Sequence, residues 1–100
     1  MTQPLTFAEF QRFIRDRYHE RDAARGTAAN FMWLMEEVGE LATALHRSSG
    51  FEGPASRGED LAGEFADVLG WLATLANMHG VDLEAALRRK YLDPGGALHK

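Results

Sequence analysis

The stretch Phe31-Met32-Trp33-Leu34-Met35-Glu36-Glu37-Val38-Gly39-Glu40-Leu41 decides the fold class. Phe31, Leu34, Met35, Val38 and Leu41, continued by Ala42 and Leu45, recur three and four positions apart. That is the period of an α-helix with one apolar face. The helix is expected to begin around Thr27 to Asn30 and to run to about Arg47. Glu37 and Glu40 sit three positions apart, which places their β-carbons about 5–6 Å from each other on one face.

A second helix repeats the arrangement. It is expected to start near Glu59, to end at His79-Gly80, and to bury Leu61, Phe65, Val68, Leu69, Leu72 and Leu75. Glu64 and Asp67 share a face of it as Glu37 and Glu40 do upstream. Ser48 to Gly58, rich in Gly and Ser and holding Pro54, reads as the loop between them. An antiparallel pair then points four carboxylates into one volume. Residues 30–46 and 58–79 hold Glu36, Glu37, Glu40, Glu59, Asp60, Glu64 and Asp67 and not one of the 11 lysines and arginines. Like charges at this spacing cost a helix about 0.2–0.5 kcal/mol per pair, and no base one turn away relieves them. An external cation is the natural compensation, and hard oxygen donors without Cys or paired His select Mg²⁺ or Mn²⁺ over Zn²⁺ or copper. A solvated acidic face is the simpler alternative. Glu59 and Asp60 have an ordinary role, since acids in a first turn meet the helix dipole favourably.

The rest of the chain completes an all-α, four-helix bundle-like architecture. Thr6-Phe7-Ala8-Glu9 is a capping box, and Phe7, Phe10, Ile14 and Tyr18 line one face of a first helix that ends at Arg25-Gly26. Asp82 is the expected N-cap of a fourth, shorter helix through about Tyr91, and Asp93-Pro94-Gly95-Gly96 stops it. The 100 residues make one domain, with a core over about 6–91 and a tail over 92–100 expected to be mobile.

So short a helical chain has a modest core, and a homodimer or homotetramer is expected to complete its burial. With no cysteine, disulfides, thiolate metal sites and a thiol nucleophile are excluded. The N-terminal residues do not read as a signal peptide, and no apolar run approaches the roughly 20 residues that span a bilayer. A soluble cytoplasmic protein with no membrane partner is expected. The net charge of −4 argues against a nucleic-acid polymer as partner.

Trp33 falls with Glu37 and Glu40 on the helical wheel, and Trp71 with Glu64 and Asp67. In an antiparallel pair both indoles reach the same end of the acidic cluster. Burial in a subunit interface is one reading; a stacking wall for a nucleobase beside metal-bound phosphates is the other.

Glu36-Glu37-Val38-Gly39-Glu40, followed by Glu64-Phe65-Ala66-Asp67, resembles the E-E-x-x-E … E-x-x-D signature of MazG-like nucleotide pyrophosphohydrolases. Ala76 to Glu84 is similar to that family's junction between its third and fourth helices. The resemblance covers roughly residues 28–90. It implies an all-α fold in which Glu37, Glu40, Glu64 and Asp67 hold Mg²⁺, with Mn²⁺ as a possible substitute, on a nucleoside triphosphate. Water then attacks the α-phosphorus and pyrophosphate leaves. The same resemblance gives Glu36 a second metal to bind or the attacking water to orient or deprotonate, Asn77 the polar groups of the substrate, and Lys90 a phosphate. An equal role for Asn77 is a helix C-terminal cap, and His46 and His79 sit where a helix dipole favours them. Tyr91 to Gly96 departs from relatives that continue with further Lys, Asn and Arg.

Three other readings compete. Phosphoribosyl-ATP pyrophosphatase shares the acidic pattern, although Glu-Glu-Val-Gly-Glu-Leu is closer to the MazG wording. A di-iron carboxylate bundle needs Glu-x-x-His pairs, and neither acidic helix holds one. A non-catalytic helical interaction module would retain the acids without using them.

Overall fold

The computed structural model describes residues 3–50 and 58–94. These form α1 (Phe7–Arg25), α2 (Thr27–Ser48), α3 (Gly58–Met78) and α4 (Leu83–Leu87), followed by a π-helical turn over Arg88–Leu92. There is no strand among the described residues, so the fold is all-α, as the periodicity implies. Most of the expected linker, residues 51–57, and of the tail, residues 95–100, lies outside the described residues.

Local chemistry sets each helix end. Thr6 Oγ1 accepts from Glu9 N–H at 3.0 Å and Glu9 Oε1 accepts from Thr6 N–H at 3.1 Å, the reciprocal pair of a capping box. Donation to Glu9 Oε1 by Thr6 N–H, and by the Thr6 hydroxyl at 3.0 Å, holds the Glu9 carboxyl below its ordinary pKa. α1 and α2 are separated by Gly26 alone, at φ 92° and ψ 163°, a backbone conformation open essentially to glycine. α3 closes at Gly80, φ 66°, where Val81 N–H reaches Ala76 O at 2.9 Å and Gly80 N–H reaches Asn77 O at 3.4 Å. Those two bonds define a Schellman motif. Asp82 then caps α4 by accepting from Ala85 N–H at 3.0 Å.

Two expectations need correction at helix ends. Ser48 belongs to α2 and not to the linker. The fourth helix is not uniform to Tyr91: it widens at Arg88, and Asp93 N–H bonds Arg88 O at 2.8 Å, five residues back.

α2 and α3 pack as the main antiparallel pair. Trp33 meets Trp71, Glu37 meets Asp67 and Glu40 meets Glu64, and the two residue numbers of each pair add to the same value. α1 lies against α3 and is tied to the start of α4 by Gln11. The Gln11 side chain donates to Val81 O at 2.6 Å and accepts from Leu83 N–H at 3.0 Å.

Among the described residues the buried apolar ones are few: Ile14, Leu34, Ala44, Ala73 and Ala76. The expected buried face of α3 is a further correction, since Phe65, Leu69 and Leu72 are 49%, 43% and 41% exposed. On α2, Phe31, Met35, Val38 and Leu45 are exposed as well. One chain of this length does not supply enough helices to cover both sides of the α2–α3 pair. Among the described residues no helix is long and apolar enough to cross a membrane.

Candidate metal centre and its aromatic wall

The helical repeat puts Trp33, Glu37 and Glu40 one turn after another on α2, and Glu64, Asp67 and Trp71 likewise on α3. Because the helices are antiparallel, the carboxylates meet. Glu37, Glu40 and Glu64 each place an oxygen within 4.8 Å of the others. Asp67 reaches Glu37 from the other side of the seam, close enough to share a proton with it.

This is an electrostatically expensive arrangement. Burial, then the charges of Glu40 and Asp67, push the Glu37 carboxyl up to about 7, as low dielectric and like charge do together. Glu37 Oε2 is buried and has no hydrogen-bond partner. A buried acceptor normally finds a donor, so this oxygen and the acids around it fit a hard divalent cation. Three of the four acids read from the sequence thus share one volume, and Asp67 borders it through Glu37.

The two tryptophans form one end of the site. Their rings stack with centroids 6.1 Å apart and planes 9° from parallel. Trp33 remains 45% exposed and Trp71 is half-buried. The indoles occupy each other, so they offer a wall and not a slot between them. Beside Trp71 and Asp67, a cleft of about 340 Å³ opens between α1 and α3, walled by Phe10, Ile14, Tyr18 and Thr74.

Other candidate residues stand apart from the cluster. Glu36 is exposed and outside the three-carboxylate group. Asn77, about 15 Å along α3 from Asp67 at 1.5 Å per residue, donates its side-chain amide to Gln11 O at 3.1 Å and lines a separate cleft with Arg12 and Arg15. Lys90 lies over Tyr91, its ammonium 5.5 Å from the ring centroid. His79 Nε2 pairs with Thr27 Oγ1 at 3.0 Å, which joins the end of α3 to the start of α2.

Sequence reasoning missed a buried polar group next to the tryptophans: Asp22, Arg25, Asn30 and Thr74. Arg25 reads locally as a basic last-turn residue and Asn30 as a helix-start residue. The usable signal was an Asp three residues before an Arg at a helix end, followed at once by a helix carrying an Asn in its first turn.

Fold and site together define a class: an all-α protein that gathers acids from two adjacent antiparallel helices into a centre able to hold a metal ion. The chain belongs to the MazG nucleotide pyrophosphohydrolase domain family, whose model matches residues 25–91. It is also similar to the uncharacterized protein YvdC of Bacillus subtilis (strain 168), at 33% identity over 93 residues, covering 84% of this chain and 88% of that protein.

Proposed function

We propose that this protein hydrolyses a nucleoside or deoxynucleoside triphosphate to the monophosphate and pyrophosphate, with Mg²⁺ as the ion and Mn²⁺ as a substitute. The observation that carries the reading is Glu37, a half-buried acid among acids whose inner oxygen, Oε2, meets no donor. Membership of the family supports the reaction class.

Glu37, Glu40, Glu64 and Asp67 would hold the ion. What it supplies when bound is neutralisation of phosphate charge and a lowered pKa for water. The water oxygen bonds to the α-phosphorus, the bond from that phosphorus to the bridging oxygen breaks, and the electron pair leaves with pyrophosphate. Glu36 is the exposed acid beside the cluster available to take the water's proton. Trp33 and Trp71 form the wall on which the nucleoside end rests. Lys90 and Asn77 serve the substrate in this reading through approach of a further element or a second subunit.

A homo-oligomer is part of the proposal. Phe31, Met35 and Val38 on α2, with Phe65, Leu69 and Leu72 on α3, leave large side chains in water, and apolar exposure on this scale commonly marks an interface.

The test is Mn²⁺ binding by calorimetry together with pyrophosphate release, in the natural chain and in Glu40→Gln. Binding and release that both fail in the variant support the assignment; undiminished release in the variant overturns it.

A further inference from the structure

The junction of α1 and α2 carries more buried polar chemistry than joining two helices requires. Asn30 is fully buried and Asp22 is 2% exposed. Asn30 Nδ2 donates to Asp22 O at 2.6 Å and to Gly26 O at 2.8 Å. Asn30 Oδ1 accepts from Arg25 Nη1 at 2.9 Å. The same nitrogen lies 3.4 Å from Asp22 Oδ1, and Arg21 Nε approaches that oxygen at 3.5 Å. From α3, Thr74 Oγ1 donates to Asp22 Oδ2 at 3.2 Å. Burying a carboxylate and a carboxamide is unfavourable unless each is paired. Here Asn30 is hydrogen-bonded, whereas Asp22 Oδ1 has no hydrogen bond and is met by the charges of Arg25 and Arg21.

The Arg25 guanidinium is placed over an aromatic ring. Arg25 Cζ lies 5.6 Å from the Trp71 ring centroid, within the range of a cation–π contact, and Trp71 stacks on Trp33. The Arg25 side chain is 27% exposed, whereas that of Arg21, on the same acid, is 65% exposed. Asn30 lies three residues from Trp33, and Thr74 three from Trp71, so the clamp grips both helices within one turn of the indoles. A planar fork suits this position: it can bond Asn30 and lie as an ion pair beside Asp22 at its edge while presenting a face to the ring, which an ammonium cannot do.

We propose that Arg25, clamped by Asp22 and Asn30, is a positioning residue that fixes the Trp33–Trp71 pair at the end of the carboxylate site and thereby sets nucleotide affinity. The last step rests on the nucleotide pyrophosphohydrolase reading; the fixing of the indoles does not. Arg25 acts through Trp71 and leaves the carboxylates to hold the ion unaided.

The experiment uses the full chain with Arg25→Gln and Arg25→Lys, and Trp33→Phe as the reference for a broken pair. Near-ultraviolet circular dichroism reads the coupling of the two stacked indoles. Calorimetry reads Mn²⁺ affinity, and pyrophosphate release gives KM and kcat. In Arg25→Gln most of the dichroism lost in Trp33→Phe should be lost, KM should rise about tenfold and kcat should stay within about twofold, the signature of weakened uniform binding. Mn²⁺ affinity should not change, and Arg25→Lys should recover only part of the dichroism. Full dichroism in both arginine variants, with only a lower melting temperature, would overturn the proposal and leave Arg25 a structural tie. Should Arg25→Gln not fold, Asp22→Asn loosens the same clamp and reads the same dichroism. If the natural chain releases no pyrophosphate, the enzymatic reading fails, while the dichroism and Mn²⁺ binding still decide whether Arg25 positions the pair.

Discussion

Glu37 on α2 and Asp67 on α3 meet across the helix seam as two acids, and burial, then Glu40, then Asp67 lift the Glu37 carboxyl to about 7. Packed helices normally face such a carboxylate with a base or with water. Here the seam accepts a repulsive contact that a bound cation would convert into an attractive one, an exchange of stability for function under the proposed reading.

Removing the repulsion should therefore stabilise the metal-free protein. Glu37→Gln is expected to melt higher than the natural chain in EDTA, and to lose the rise in melting temperature that Mn²⁺ gives the natural chain. Thermal melts with and without the ion check both halves.

The raised pKa also fixes a pH dependence. Glu37 ionises near 4.5 when unfolded and near 7 when folded, so between those values the folded state binds the extra proton. Its contribution to stability is complete below the lower value and falls as pH rises through the upper one. In EDTA, the natural chain should lose more stability than Glu37→Gln between about pH 5 and pH 8, and saturating Mg²⁺ should shrink that difference. Equal pH profiles for the two proteins would show that Glu37 is not the group concerned.

The helices and the acids were legible because they depend on local order. The Thr6–Glu9 box, the Gly26 and Gly80 stops and the three-residue spacing of each acidic pair are short-range signals, and an antiparallel pairing carries them to the site. Trp33 and Trp71 followed from the same helical wheel. What stayed hidden depends on packing between distant segments. Asp22 gains its meaning from Thr74, 52 positions away, and Asn77 is engaged by Gln11. The apolar period of α3 identified Phe65, Leu69 and Leu72 as a face without saying whether this chain covers it. The π turn at Arg88–Leu92 shifts a hydrogen bond by one residue, and no residue type there announces it.

Gly26→Ala should cost about 1–3 kcal/mol, because a Cβ disfavours φ 92°. No heavy atom lies within 4 Å of that Cβ position, so the loss comes from the backbone and not from a clash. Chemical denaturation measures it, and a neutral substitution would show that the junction relaxes.

The exposed apolar face makes a prediction about assembly. Met35→Glu and Leu69→Glu are expected to shift an oligomer toward monomer by placing charge on α2 and α3 where Met35 and Leu69 are about half exposed. Sedimentation velocity checks this; a natural chain that is monomeric at high concentration would rule out the proposed use of that face.

The most direct test is pyrophosphate release from a panel of canonical and modified nucleoside triphosphates, with Mg²⁺, with Mn²⁺ and with EDTA, in the natural chain and in Asp67→Asn. The expected result is release from one or a few substrates that needs the ion and falls about 100-fold or more in the variant, since a lost ligand weakens the ion's hold. Release that persists in EDTA, or that Asp67→Asn leaves intact, would contradict the carboxylate centre as the site of the chemistry.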